Sequence, residues 1–442
     1  MRKLILSLAA TPLILGSMAV SAQAADDGFN VLSDVKFKGE LRPRYQFSDR
    51  DGTTADSGHQ LTNRTNLNIN AGLLEVDGLN AELELNAVND FGTEQQSNKD
   101  VGGEATVAKI SQANISYTAG GVTGILGRKG VNLDNQRFIG TVGWKQNFQT
   151  YDLAAVAYGT GGFSIIGAYV YGVNTIFDAG YDYGQGNKFP TSGSGRTNSA
   201  LVNASYKFMD PIKVTGYAYL LGSASDTYGL AATGKVAMGK SAKLTYRVEG
   251  AIQKKATLKT YEDGLISPAP GGHNDSLFGD AGYFNVDVGA NISGFLVGLN
   301  YEVLGGADKN DKETTQFQTP LATKHKFNGW ADQFLGTPTT GLADFNIRAG
   351  YKFDTAGKII GIYHLFNAAA DGTGGKKDGS DVKSGDAYGS EFDIAYSVKL
   401  PGTNNIGLLV KGALYMGDDA TNVAAKDTTL AWVQLDYKFA TK

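Results

Sequence analysis

Residues 35–48, VKFKGELRPRYQFS, alternate without a break. Val35, Phe37, Gly39, Leu41, Pro43, Tyr45 and Phe47 fall on one face, and Lys36, Lys38, Glu40, Arg42, Arg44 and Gln46 on the other. A period of two held this long predicts a β-strand with one apolar and one strongly charged face. The pattern returns near 62–74, 80–90, 109–118, 122–129, 151–159, 163–173, 198–208, 212–221, 226–237, 242–253, 282–292, 295–304, 343–353, 359–366, 390–400, 406–416 and 428–439. That makes eighteen segments in all. Each is about the 9–11 residues a tilted strand needs to cross the hydrocarbon layer of a bilayer.

The connections alternate as well. Short turns such as Val76-Asp77-Gly78, Ala119-Gly120-Gly121 and Ser293-Gly294 take turns with long polar loops at 174–197, 254–280, 305–342 and 367–389. A meander of this kind is the plan of an all-β, 18-stranded antiparallel transmembrane barrel, whose closure leaves no unpaired edge in lipid. Both termini then lie on the short-turn side, which is expected to be periplasmic, with the long loops extracellular. The tripeptide Tyr-Lys-Phe recurs at 206–208, 351–353 and 437–439, each time where a strand should reach the short-turn rim. There the aromatics suit the headgroup level and the lysine suits the lumen or water.

Residues 1–24 read as a signal peptide: Arg2 and Lys3, an apolar run, then Ala22-Gln23-Ala24. Residues 25–442 are then one barrel domain, and removing Arg2 and Lys3 leaves 38 basic against 44 acidic side chains. Nothing in that balance suggests a nucleic-acid partner. There is no cysteine, so no disulfide framework, and beyond residue 24 no run is apolar enough for a spanning helix. The expected location is the cell outer membrane, with lipid and lipopolysaccharide as surroundings.

Catalytic chemistry has little to work with. GKVAMGKS at 234–241 satisfies the phosphate-loop pattern, but an alternating strand follows where a helix is required, so a hairpin turn is expected instead. His59, His273 and His325 fall in expected outer loops and His364 on the fifteenth strand, in no metal or triad spacing. DGSDVKSGD at 378–386 is rich in carboxylates but lacks regular calcium-ligand spacing. No enzyme activity, metal or cofactor is expected. The informative surface is the inward one, where Arg42, Arg44, Arg64, Arg247, Arg348 and many lysines alternate with carboxylates. An interior so charged is a wet passage, and its cations favour anions.

Two loops are too apolar to stand in water. Residues 130–152 carry Val131, Leu133, Phe138, Ile139, Trp144 and Phe148 with Arg137 and Lys145, and either fold into the lumen as a constriction or cover the mouth as a lid. In 324–338, Phe327, Trp330, Ala331, Phe334 and Leu335 have the spacing of a short amphipathic helix, capped by Asn328 and stopped by Gly336.

GRKGVNLDNQRFIGTVGWKQNFQTYD at 127–152 and TKHKFNGWADQFLGTPTTGLADFNIRAGYKF at 323–353 resemble the signature segments of the alginate-export family of outer-membrane barrels. The resemblance implies a monomeric, porin-like barrel that passes an anionic polyuronate through an arginine-lined constriction. It places Arg128, Arg137, Lys145 and Gln146 in the selectivity region and makes 323–342 a structural element of the pore mouth. Lys145 stands where arginine is expected and Lys129 where glutamine is, and lysine lacks the fork that grips carboxylates bidentately. The expected function is passive diffusion of small hydrophilic, anionic solutes. The alternative is export of an acidic, alginate-like polysaccharide stepping between Arg42, Arg44, Arg64, Arg128, Arg137, Arg247 and Arg348.

Overall fold

The computed structural model describes residues 31–51, 57–91, 104, 106–177, 195–222, 224–257, 280–307, 316–403, 405–418, 421–424 and 426–441. The expected signal peptide and His273 lie outside the described residues. Alternation produces strands wherever it was read. The first nine are β1 (Leu32–Arg50), β2 (Gly58–Leu73), β3 (Leu79–Asp90), β4 (Val107–Ala119), β5 (Val122–Lys129), β6 (Thr150–Thr160), β7 (Phe163–Asn174), β8 (Gly195–Met209) and β9 (Ile212–Leu221). They continue as β10 (Ser225–Met238), β11 (Ala242–Lys255), β12 (Ala281–Ile292), β13 (Phe295–Leu304), β14 (Leu342–Lys352) and β15 (Lys358–Asn367). A small separate hairpin, β16 (Gly372–Gly375) with β17 (Asp381–Val382), precedes β18 (Ala387–Lys399), β19 (Ile406–Gly417) and β20 (Thr428–Ala440).

The eighteen long strands form one antiparallel sheet, and β20 pairs back onto β1, with Lys38 opposite Ala440 and Arg50 opposite Thr428. The sheet is therefore a closed barrel with no free edge. At the closing seam Gly39 lies opposite Phe439, whose ring covers the position a β-carbon would occupy. Short turns gather at one rim, with the start of β1 and the end of β20. The strand ends that the longer stretches of sequence join lie at the other rim, where three residues of sequence, 222–224, separate β9 from β10.

The outer wall is apolar: Leu126, Leu230, Phe295 and Leu299 are all more than half exposed. The three Tyr-Lys-Phe copies stand at the turn rim, with Tyr206 against Phe208 at 4.7 Å and Tyr351 against Phe353 at 4.8 Å between ring centroids. The core is inside the barrel. Segments 130–149 and 316–341 fold into the lumen, so the lid alternative for the first is not what forms. Phe138 of the first packs against Tyr217, Tyr283 and Phe317, and Phe334 of the second against Phe366 and Tyr388.

Three local expectations need correction. The stretch 327–335 is not a helix: the only helical turn there is a 3-10 turn at Lys324–Lys326, and Asn328, Gly329 and Asp332 adopt positive φ. Its backbone is held by barrel side chains instead, Ala331 N–H donating to Glu391 at 2.7 Å. His59 belongs to β2, where it stacks on Tyr45, not to a loop. His325 is not a solvated loop residue but is 5 % exposed inside the barrel.

Candidate functional site

The first inward segment is seated by the three arginines of β1 and β2. Arg42 donates from Nε to Gln146 (2.9 Å) and from its terminal nitrogens to the carbonyls of Gly143 (3.0 Å), Trp144 (3.3 Å) and Lys145 (2.7 Å). Arg44 donates to Gln434 and Glu104, takes the Trp144 carbonyl, and lies 3.9 Å over the Trp144 ring. Arg64 pairs with Glu40 at 2.5 Å and reaches the Lys145 carbonyl at 3.3 Å. Gln146 answers by donating to the Arg42 carbonyl and to Thr62, and its backbone N–H donates to Glu104. Alternation puts these arginines inside, as read from the sequence. Most of their donors, however, are taken by carbonyl and carboxylate oxygens of the protein, so they seat the segment and are not open anion sites.

The second segment is seated on β13 to β20. Arg137, reaching across from the first segment, forks onto Glu302 at 2.7 and 3.0 Å and donates to Asn328 at 3.0 Å. Burial would lower its pKa, but Glu302 outweighs burial and holds it above the usual guanidinium value. Asn328 also donates to Glu302 and Asp344, and Asp344 holds His364 Nδ1 at 2.9 Å. The two segments bind each other through Gly140 N–H to the Leu321 carbonyl and Thr323 N–H to the Gln136 carbonyl. Both then meet the wall at Lys411 of β19. Its Nζ sits 2.6 Å from His325 Nε2 and 4.3, 3.8 and 5.2 Å from the ring centroids of Trp144, Trp330 and Trp432.

Beside these seats a cavity of about 320 Å³ remains against β11 to β15. Arg247, Arg348 and Lys326 bring cations to it, Asp287, Glu302 and Asp344 carboxylates, and Asn285, Asn300 and Asn346 neutral amides. Arg348 forks onto Asp287 at 2.6 and 2.8 Å, and Arg247 pairs with Asp134 and Glu249. Burial and the neighbouring Arg247 hold Lys326 below the ordinary lysine range. Toward the turn rim the inward positions turn to lysine. Lys38, Lys207, Lys213, Lys235, Lys243, Lys352, Lys399 and Lys438 are all exposed. Lys207 lies directly opposite Lys213, and Lys352 opposite Lys358.

Of the residues singled out from sequence, Arg42, Arg44, Arg64 and Gln146 come together at one seat, with the Lys145 carbonyl among their acceptors. Arg137 lies in the second seat, and Arg247 and Arg348 line the cavity. Lys129 points inward to Glu82 at 2.6 Å. Arg128 does not join them. It pairs with Asp152 at 2.7 Å, lies opposite Ala113, and has the parity of the outward Val122 and Leu126, so it stands on the outer face. The alternation of β5 carried that signal; the family resemblance pointed the other way. The GKVAMGKS stretch closes the β10–β11 hairpin. In 378–386, Asp378 is turned onto Ser380 and Asp386 onto Lys376 and the Lys383 N–H. Glu104 and the meeting of three tryptophans on Lys411 were not read from the sequence.

No protein-family model and no curated protein matches the chain. Solved structures do match. OpdO of Pseudomonas aeruginosa superposes with TM-score 0.66 at 13% identity, over 93% of this chain and 99% of that one. OccAB2 of Acinetobacter baumannii gives 0.68 at 13% identity, over 92% and 98%. OpdK of P. aeruginosa, in a structure with vanillate, gives 0.66 at 13% identity, over 92% and 99%. The fold is that of the Occ/Opd outer-membrane porins. The alginate-export family has no counterpart among these neighbours, and only the coarser likeness, a porin barrel, stands.

Proposed function

We propose that the chain is an outer-membrane porin through which small hydrophilic anions diffuse passively. It works as a monomer in contact with lipid and lipopolysaccharide, its long loops extracellular, its termini periplasmic and residues 1–24 removed. The observation that carries the reading is the lysine belt inside the turn rim. Directly opposed lysines disfavour strand pairing, so folding alone does not account for Lys352 facing Lys358, and Lys207 faces Lys213 with only the exposed Asp210 at 2.6 Å to offset it. Concentrating positive potential in a low-dielectric mouth raises the local anion concentration. The vanillate in the OpdK structure, a small aromatic carboxylate, is a solute of the expected class.

The arginines of the first seat contribute shape, and Arg348 and Arg247 meet the solute beside their carboxylates. Export of an acidic polysaccharide draws no support. Arg42, Arg44, Arg64 and Arg137 are engaged by the protein, Arg128 is outside, and two segments occupy the lumen a polymer would need. The test is the reversal potential of single channels under a salt gradient, for the native protein and for Lys207→Gln, Lys213→Gln, Lys352→Gln and Lys358→Gln combined. Anion selectivity that falls by several-fold in the variant supports the reading. Cation selectivity in the native channel sinks it.

A further inference from the structure

The chain has three tryptophans, and all three meet one lysine. They come from different places: Trp144 from the first inward segment, Trp330 from the second, and Trp432 from β20, directly opposite Lys411. An ammonium held against indole faces away from water is attracted by each ring quadrupole. The knot is tied further by His325, which stacks on Trp144 at 4.7 Å with the rings 8° apart. Arg44 lies over the same indole at 3.9 Å and holds its carbonyl.

The protons are fixed by the partners. Lys411 has only donors, so His325 Nε2 accepts at 2.6 Å, and the single ring proton is on Nδ1, donated to Asp332 at 2.8 Å. A second proton on the ring would set N–H against the ammonium. The charged groups that act on this contact are Asp393 and Glu391 of β18, Asp332 of the second inward segment, Arg44 of β1, and Lys145 of the first inward segment.

We propose that Lys411 is the positioning residue of the constriction. It pins both inward segments to one wall, and acid releases the pin by protonating its His325 acceptor. Removing the cation leaves the two segments joined to each other but loose on the β19–β20 side, and the passage there widens. Burial pushes the His325 imidazole down to about 4, the Asp332 carboxylate opposing it only in part, so release belongs to strongly acidic solution.

Because no other tryptophan exists in the chain, tryptophan emission, excited beyond the absorption of the tyrosines, reports the knot alone. The test measures tryptophan emission and single-channel current on the same refolded barrel, folding being checked by heat-modifiable gel mobility. The native protein is compared with Lys411→Met, which keeps the length and loses the charge, and with Lys411→Arg, which keeps a cation against the indoles. Expected are a red-shifted emission with a larger, noisier current for Lys411→Met at neutral pH and near-native behaviour for Lys411→Arg. The native protein itself should red-shift as pH falls through about 4. A native-like emission and current in folded Lys411→Met, or a native emission unchanged by acid, overturns the proposal. The current readout rests on the diffusion reading, whereas the emission does not. A shifted emission with no current in any variant therefore keeps the pin and removes the channel.

Discussion

Arg42 and Arg128 have the same side chain and opposite duties, and the difference is settled by which side of the wall each faces. Arg42 is 5 % exposed and gives four hydrogen bonds, three of them to carbonyls of one inward segment. Replacing it by alanine strands those acceptors in a buried setting, at about 3 kcal/mol in all. Arg42→Ala should therefore make residues 143–146 open to protease at a urea concentration where the native segment resists, with the barrel still folded. Arg128, paired with Asp152 on the outer face, is outside the path of any solute. Arg128→Ala is expected to leave the reversal potential where it was, and a loss of anion selectivity would return that residue to the lumen. Any charge count of the lumen that ignores whether donors are already engaged overstates its pull on anions.

Elements differ in how far the sequence alone determines them. The strands were legible because their period of two is local and one face must be apolar throughout. The stretch 327–335 was not, although its apolar spacing suits a helix. A helix satisfies its own N–H groups, but here Glu391 offers a buried carboxylate to Ala331, and the chain turns through Asn328 and Gly329 at positive φ to meet it. Gly329 has φ +83°, and a β-carbon there would overlap the Glu391 carboxylate. Gly329→Ala should cost about 1–3 kcal/mol of the segment's seat, seen as protease cleavage near 329 without loss of the barrel. The seat is also pH-dependent, with a definite sign. His325 is depressed from an ordinary 6.5 to about 4, so the released segment binds the extra proton first. The seat's stability is full above about 6.5 and is lost as pH falls through about 4. His325→Gln, which keeps an acceptor that does not titrate, should flatten that acid limb in a protease-accessibility titration.

At the scale of the whole molecule, charge is divided between two kinds of place, and salt separates them. The lumen wall behind the inward segments holds buried, mutually engaged charges: Arg44 with Glu104, Arg137 with Glu302, and Lys411 among indoles. The turn rim holds exposed lysines in solvent. Mobile ions screen exposed charges over about 10 Å at 0.1 M and about 3 Å at 1 M, and reach buried ones far less. If the lysine belt sets selectivity, the anion preference from the reversal potential should be strong near 0.1 M and fade toward 1 M. The shape of the constriction, read from the noise of the open channel and from tryptophan emission, should not change over the same range. A preference that persists at 1 M would move the filter from the belt to the cavity, where Arg348 and Arg247 stand within reach of a solute stripped of its water. The two variants then part company: lysine-to-glutamine changes at the rim would alter only the rate of capture, and Arg348→Gln would alter the ion ratio.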